Sequence, residues 1–150
     1  MKRKLNEDEI DDLLDSARSN DLNELKNNLN LISTRLECAE SDVISHTIDV
    51  YSKNTLLHMA SANGLLEIIL FLLSFNINNM LSFKNESGNT PLHWACLNGH
   101  LNIVKTLCDF GASPFEKNNS GQDCIFQAET NEKFDVVDYL LERYQDEEEV

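Results

Sequence analysis

Four histidines, four cysteines and a cluster of aspartates are the residues with which this 150-residue chain could perform metal, nucleophilic or acid–base chemistry. His58 and His93 stand at equal places in two similar segments, Thr55 to Gly64 and Thr90 to Gly99. Stacked segments would bring them close together, but no Cys or carboxylate follows at metal-ligand spacing. The fitting role is structural, with each imidazole hydrogen-bonded to backbone. His100 follows Gly99, and His46 lies in a stretch with no evident partner. Cys38, Cys96, Cys108 and Cys124 form no CxxC pair, and each sits in or beside an apolar pattern. They read as buried free thiols of a reducing compartment. Asp11, Asp12 and Asp15 fall at i, i+1 and i+4 of an N-terminal helix, which makes a solvated face. No serine or cysteine has a base within a recognisable motif, and no glycine-rich phosphate loop is present. An enzyme is therefore not expected, nor is a cofactor or a metal. What remains is a surface, and the elements that would present it are strongly marked.

The clearest mark is Gly88 to Leu101, GNTPLHWACLNGHL. Its core reads T-P-L-H-x-A, the signature of the ankyrin repeat. Pro91 suits the first turn of a helix, where a missing N–H costs nothing. Thr90 precedes it as the cap. Leu92 and Ala95 would face a neighbouring repeat, and Gly99 would end the helix. Leu101, Val104 and Leu107 open a second apolar stripe at helical spacing. Thr55-Leu56-Leu57-His58-Met59-Ala60 repeats the pattern 35 residues earlier. Gly121 to Ala128 repeats it 33 residues later, with Asp123 for Thr and Phe126 for His. A degenerate first copy appears when Asp11 is aligned with Thr90. Leu13 then falls on Leu92, Ser16 on Ala95 and Asn20 on Gly99.

The expected fold is therefore all-α: an ankyrin-repeat solenoid of four stacked helix-turn-helix units with degenerate terminal caps. The repeats fall at about residues 8–32, 50–84, 85–117 and 118–145 of one domain spanning 1–150. Residues 1–9 are polar and read as frayed. Asp11 to Thr55 is 44 residues, against a standard period of roughly 33. The excess marks an insertion at 33–49, expected as a long loop or an extended helix end. Residues 146–150 form an acidic tail.

The formal net charge of -14 is unevenly spread. Residues 5–42 hold eleven acids and three bases, and residues 122–150 hold ten acids and two bases. Residues 43–121 are close to balanced, with five acids and four bases. Phosphate binding needs a basic surface, so nucleic acid is disfavoured as a partner. A basic protein would be steered to the acidic ends. The longest apolar run, Leu65 to Phe75, is interrupted by Glu67 and is too short to span a bilayer. No signal-peptide core follows the basic start. An intracellular protein without a membrane partner is expected.

Ankyrin arrays bind proteins on a concave face built from turn tips and first helices. The tip candidates are Tyr51, Glu86 and Asn89. On the first helices they are Asp15, Met59, Trp94, Leu97, Asn98 and Gln127. Asp11, Asp12 and Glu129 add charge at the acidic ends. Met59 and Trp94 would adjoin as an apolar centre, with Trp94 either anchoring a partner or packing between first helices.

Beyond the generic repeat, TLLHMASANG, GNTPLHWACLNGHLNIVKTLCD and SPFEKNNSGQDCIFQAE occur together. This combination resembles the yeast-type ankyrin chaperones dedicated to a small-subunit ribosomal protein, S-three. The early Asp15-Ser16-Ala17-Arg18-Ser19-Asn20-Asp21-Leu22 is similar to an acidic first helix in that family. Pro114-Phe115 and Asp123 to Glu129 are the more specific part, since they are not generic ankyrin residues. The resemblance implies a chaperone that binds the newly made basic ribosomal protein and keeps it soluble. It also implies passage from cytoplasm to nucleus with that client, in support of ribosome biogenesis. A monomer is expected before the client binds. The alternative is an ankyrin adaptor or inhibitor regulating a signalling or transcription protein.

Overall fold

A computed structural model describes residues 4–145. Its helices are α1 (Glu7–Arg18), α2 (Leu22–Leu36), α3 (Glu40–His46), α4 (Leu56–Ala62) and α5 (Leu66–Leu73). They continue with α6 (Pro91–Leu97), α7 (Leu101–Asp109), α8 (Cys124–Thr130) and α9 (Phe134–Arg143). Four antiparallel pairs, α1–α2, α4–α5, α6–α7 and α8–α9, stack in chain order, and the first helices α1, α4, α6 and α8 pack on one another successively. One continuous core results, in which Leu13, Leu57, Ala60, Leu92, Ala95, Ile103, Leu107, Ala128 and Leu140 are buried. The small Ala60, Ala95 and Ala128 stand where consecutive first helices approach each other.

Each repeat is built the same way locally. Thr55, Thr90 and Asp123 cap their helices by accepting from the backbone N–H three residues on. Each first helix ends in a paired turn: Leu65 N–H reaches Ala60 C=O, His100 reaches Ala95, and Lys133 reaches Ala128. Gly64 and Gly99 take φ values of +70° and +72° there. At Gly64 a side chain would also collide, because an added Cβ would lie 2.8 Å from His100 Nδ1 of the next repeat.

Two expectations are corrected. The first helix does not start at Asp11. Asn6 caps it, accepting from Glu9 N–H at 2.8 Å while Glu9 Oε2 accepts from Asn6 N–H at 3.1 Å. Residues 7–9 are thus its first turn, and their carboxylates Glu7, Asp8 and Glu9 lie at the positive end of the helix. Asp11 and Asp12 stand mid-helix. Second, the stretch 33–49 is neither one long loop nor a simple helix extension. α2 runs on to Leu36, where Glu37 turns the chain at φ +53°, and a separate short helix, α3, follows. α3 buries Val43 and Ile44 and leaves an apolar pocket of about 110 Å³ lined in part by Ile44, Ile48, Leu56, Ile77, Met80 and Phe83. Cys96, Cys108 and Cys124 are buried free thiols, as expected, and they lie together where repeats three and four meet. Burial pushes the Cys124 and Cys108 thiols up, which holds them protonated and unreactive.

Candidate partner-binding surface

The turn tips before each first helix form a ladder that fixes the rim of the surface. Asn85 Nδ2 donates to Asn54 Oδ1 at 2.7 Å, and Asn118 Nδ2 donates to Asn89 Oδ1 at 2.9 Å. Glu86 N–H donates to Ser52 C=O, and Asn119 N–H to Ser87 C=O. In the second-repeat tip, Asp49 Oδ1 accepts from the N–H groups of Tyr51 and Ser52. The backbone hydrogen bond from Ser52 holds the Asp49 carboxyl below its usual range against the opposing effect of burial, with Tyr51 helping.

Behind the tips, two histidines bind the repeats together. His58 Nε2 meets Asn89 C=O at 2.8 Å, and His93 Nε2 meets Gln122 C=O at 3.0 Å. On the other side of each ring, Nδ1 accepts from the N–H of Thr55 or Thr90. The geometry requires the neutral tautomer with the proton on Nε2, since a protonated Nδ1 would face a donor. Burial accordingly lowers the His58 pKa to about 4, in spite of the hydrogen bond to Asn89, and lowers that of His93. Among the described residues no group of His, Cys, Asp or Glu is arranged to hold a metal.

The twelve candidate residues divide by what they already touch. Tyr51 is 84% exposed at its tip, and Glu86 is exposed at the next. Asn98 and Asp11 are exposed, as is Asp12. Asn89 is half-buried: its side-chain oxygen is held by Asn118 and its carbonyl by His58. Gln127 is half-buried, with Nε2 donating to Gln122 Oε1 at 2.6 Å. Asp15 is exposed but paired with Arg18 Nη1 at 2.7 Å. Arg18 in turn lays Nη2 3.6 Å from Met59 Sδ, so a cation partly covers that thioether. Trp94 and Leu97 are half-buried, and the buried Trp94 Nε1 has no hydrogen-bond partner among the described residues. The candidate surface thus offers Tyr51, Trp94 and Leu97 as apolar points, and Glu86 and Asn98 as exposed polar ones.

Glu129 lies elsewhere. It aligns with Cys96, which adjoins Cys124 of the following repeat. It therefore points out of the end of the stack rather than across the groove. The 33-residue alignment contains that signal; counting from the first-helix groove positions does not.

The order of helix pairs, the capped turns and the histidine bridges decide the family, and sequence comparison agrees. The chain matches the profile described as Ankyrin repeats (3 copies) over residues 15–118 and 57–149. The chain belongs to the ankyrin-repeat family. It is 41% identical over 152 aligned positions to Ankyrin repeat-containing protein YAR1 of Saccharomyces cerevisiae, covering 93% of this chain and 72% of that protein. It also superposes on a chain of the crystal structure of the yeast ribosomal protein Rps3 in complex with its chaperone Yar1. There the TM-score is 0.83 and the identity 37%, covering 94% of this chain and 96% of that one. Among the described residues no helix is long and apolar enough to cross a membrane.

Proposed function

We propose that this ankyrin-repeat chain is a dedicated chaperone of a newly synthesised small-subunit ribosomal protein of the S3 type, supporting ribosome biogenesis. The observation that carries this reading is the likeness to Yar1, a chaperone of Rps3, over nearly the whole chain in both sequence and fold. The charge distribution supports it independently. A newly made ribosomal protein is basic, and the acids of the first and last repeats would attract its cations. Glu86, Asn98 and the exposed Tyr51 would contact a client segment, while Trp94 and Leu97 take an apolar side chain. Many moderate charge contacts give fast association and permit displacement by ribosomal RNA, a stronger polyanion. The role is binding, not catalysis. The chain would be a monomer before client binding and would travel with its client from cytoplasm to nucleus.

Titration of the full chain with purified yeast Rps3 tests the reading. We expect a 1:1 complex whose Kd weakens at least about tenfold between 0.05 and 0.5 M salt, as screening of exposed charges demands. A salt-independent Kd would overturn the electrostatic mechanism. Capture of a kinase or transcription factor as the dominant cellular partner, with no binding of Rps3, would overturn the function.

A further inference from the structure

Each internal repeat shows which of its positions touch the repeat that follows. His93 reaches forward to Gln122 C=O at 3.0 Å. Lys105 Nζ lies 5.5 Å from the Tyr139 ring, as Lys26 lies 5.3 Å from Phe71 where repeats one and two meet. Asp109 Oδ1 meets Arg143 Nη1 of the next repeat at 2.6 Å. Cys96 adjoins Cys124, and Cys108 adjoins Tyr144. Adding 33 to His93, Cys96, Lys105, Cys108 and Asp109 gives Phe126, Glu129, Asp138, Leu141 and Glu142 in the last repeat. These five residues form the end face of the stack.

That face is not finished as a cap. A terminal repeat ordinarily turns polar residues outward, yet Phe126 is 45% exposed and Leu141 38%. Their counterparts His93 and Cys108 are buried. The three remaining positions are carboxylates, and Arg143 does not neutralise them because it turns back to Asp109 and Tyr139. A fifth ankyrin repeat would not find here the histidine, cysteine and glycine that seat repeat four on repeat three. At the glycine position against which the next repeat presses, where a Cβ on Gly99 would lie 2.6 Å from Lys133 Cδ, the last repeat carries Glu132. A second copy of the chain is disfavoured by charge, since both of its end repeats are strongly acidic.

We infer that the end face of the α8–α9 repeat docks a basic amphipathic helix of the bound ribosomal protein. Its apolar side covers Phe126 and Leu141, and its lysines or arginines meet Glu129, Asp138 and Glu142. A single helix supplies cations at the places where Tyr139 and Arg143 stand in the interface before it. The inference rests on the chaperone reading and adds a second contact region outside the groove.

The test uses the full chain, purified yeast Rps3 as probe, and two variants: Phe126→Ser, and Asp138→Lys combined with Glu142→Lys. All three substituted residues are exposed, so helical content is expected to stay unchanged. Both variants should weaken Rps3 binding about tenfold or more, and hydrogen exchange should show residues 126–142 protected by Rps3. If Phe126→Ser loses helicity, the charge reversal and the exchange protection decide. Binding of Rps3 by the unaltered chain, with both variants within twofold and no protection, overturns the inference alone. Conversion of a dimer to a monomer by Phe126→Ser overturns it in favour of a second copy. Failure of the unaltered chain to bind Rps3 overturns the chaperone reading and this inference with it.

Discussion

The interface between repeats three and four and the end face beyond repeat four use the same positions with different residues. Inside the stack, the shared positions hold His93, Cys96, Gly99, Cys108 and Asp109; at the end they hold Phe126, Glu129, Glu132, Leu141 and Glu142. The difference separates what the frame needs from what the neighbour needs. Leu107 and Leu140, which face inward, are both fully buried, so the repeat's own core is indifferent to position in the array. At these shared positions histidine and glycine appear only where another repeat is seated against them.

The largest effect that would sharpen this contrast is expected from truncating leucines. Leu107→Ala removes a fully buried side chain and should cost about 2–5 kcal/mol in urea unfolding. Leu141→Ala, at the end-face position that Cys108 holds one repeat earlier, removes a partly exposed side chain and should cost under about 1 kcal/mol. Equal losses would mean that Leu141 is covered within the free chain, and the contrast would fail.

The histidine bridges come next. His58 is neutral and buried, with its pKa lowered to about 4 from an ordinary 6.5. The unfolded chain therefore binds more protons below pH 6.5, and the stability held in the neutral imidazole is lost as pH falls from about 6.5 toward 4. At pH 5 the loss from His58 is about 2 kcal/mol, with His93 adding in the same direction. His58→Phe copies the residue that the last repeat uses at this position. Its midpoint at pH 7.5 should fall through loss of the bridge to Asn89, while its fall between pH 7.5 and 5 should be shallower than in the parent chain. An unchanged pH slope would show that the acid sensitivity lies elsewhere.

The parts of the fold that could be read from sequence are those in which one residue has one local job. Thr90, Pro91, His93 and Gly99 each act within a turn or across one repeat spacing, so their pattern exposes the interior of the array. The start of α1 was also written locally, as Asn6 followed three residues later by Glu9, but alignment to Thr90 drew attention to Asp11 instead. α3 was harder to see, being seven residues long with no side-chain cap. The candidate surface was less legible because its chemistry depends on contacts between distant residues. Arg18 covers Met59 from 41 positions away, and Asn118 holds Asn89 from 29. The Arg18 contact leaves no periodic trace, whereas the Asn118 contact repeats that of Asn85 with Asn54 at the repeat spacing. Glu129 was identifiable as acidic, but its direction follows only from the thiol pairing of its counterpart Cys96.

The smallest expected effect is also the most pointed, because it exchanges one residue type between the two regions. Gly64 sits at φ +70° with the His100 ring against it. Gly64→Ala combines left-handed strain of about 1 kcal/mol with a contact that must give, and should cost about 1–2 kcal/mol. His100 cannot withdraw freely, since its Nε2 is held 3.0 Å from Ala62 C=O. Glu132 has the same turn at φ +59° with no following repeat among the described residues. Glu132→Gly relieves that strain but adds chain entropy to the unfolded state, and the two offset to within about 0.5 kcal/mol. The glycine is then required by the neighbour more than by the turn. If Gly64→Ala proved as mild as Glu132→Gly, seating of the next repeat would not be what selects glycine.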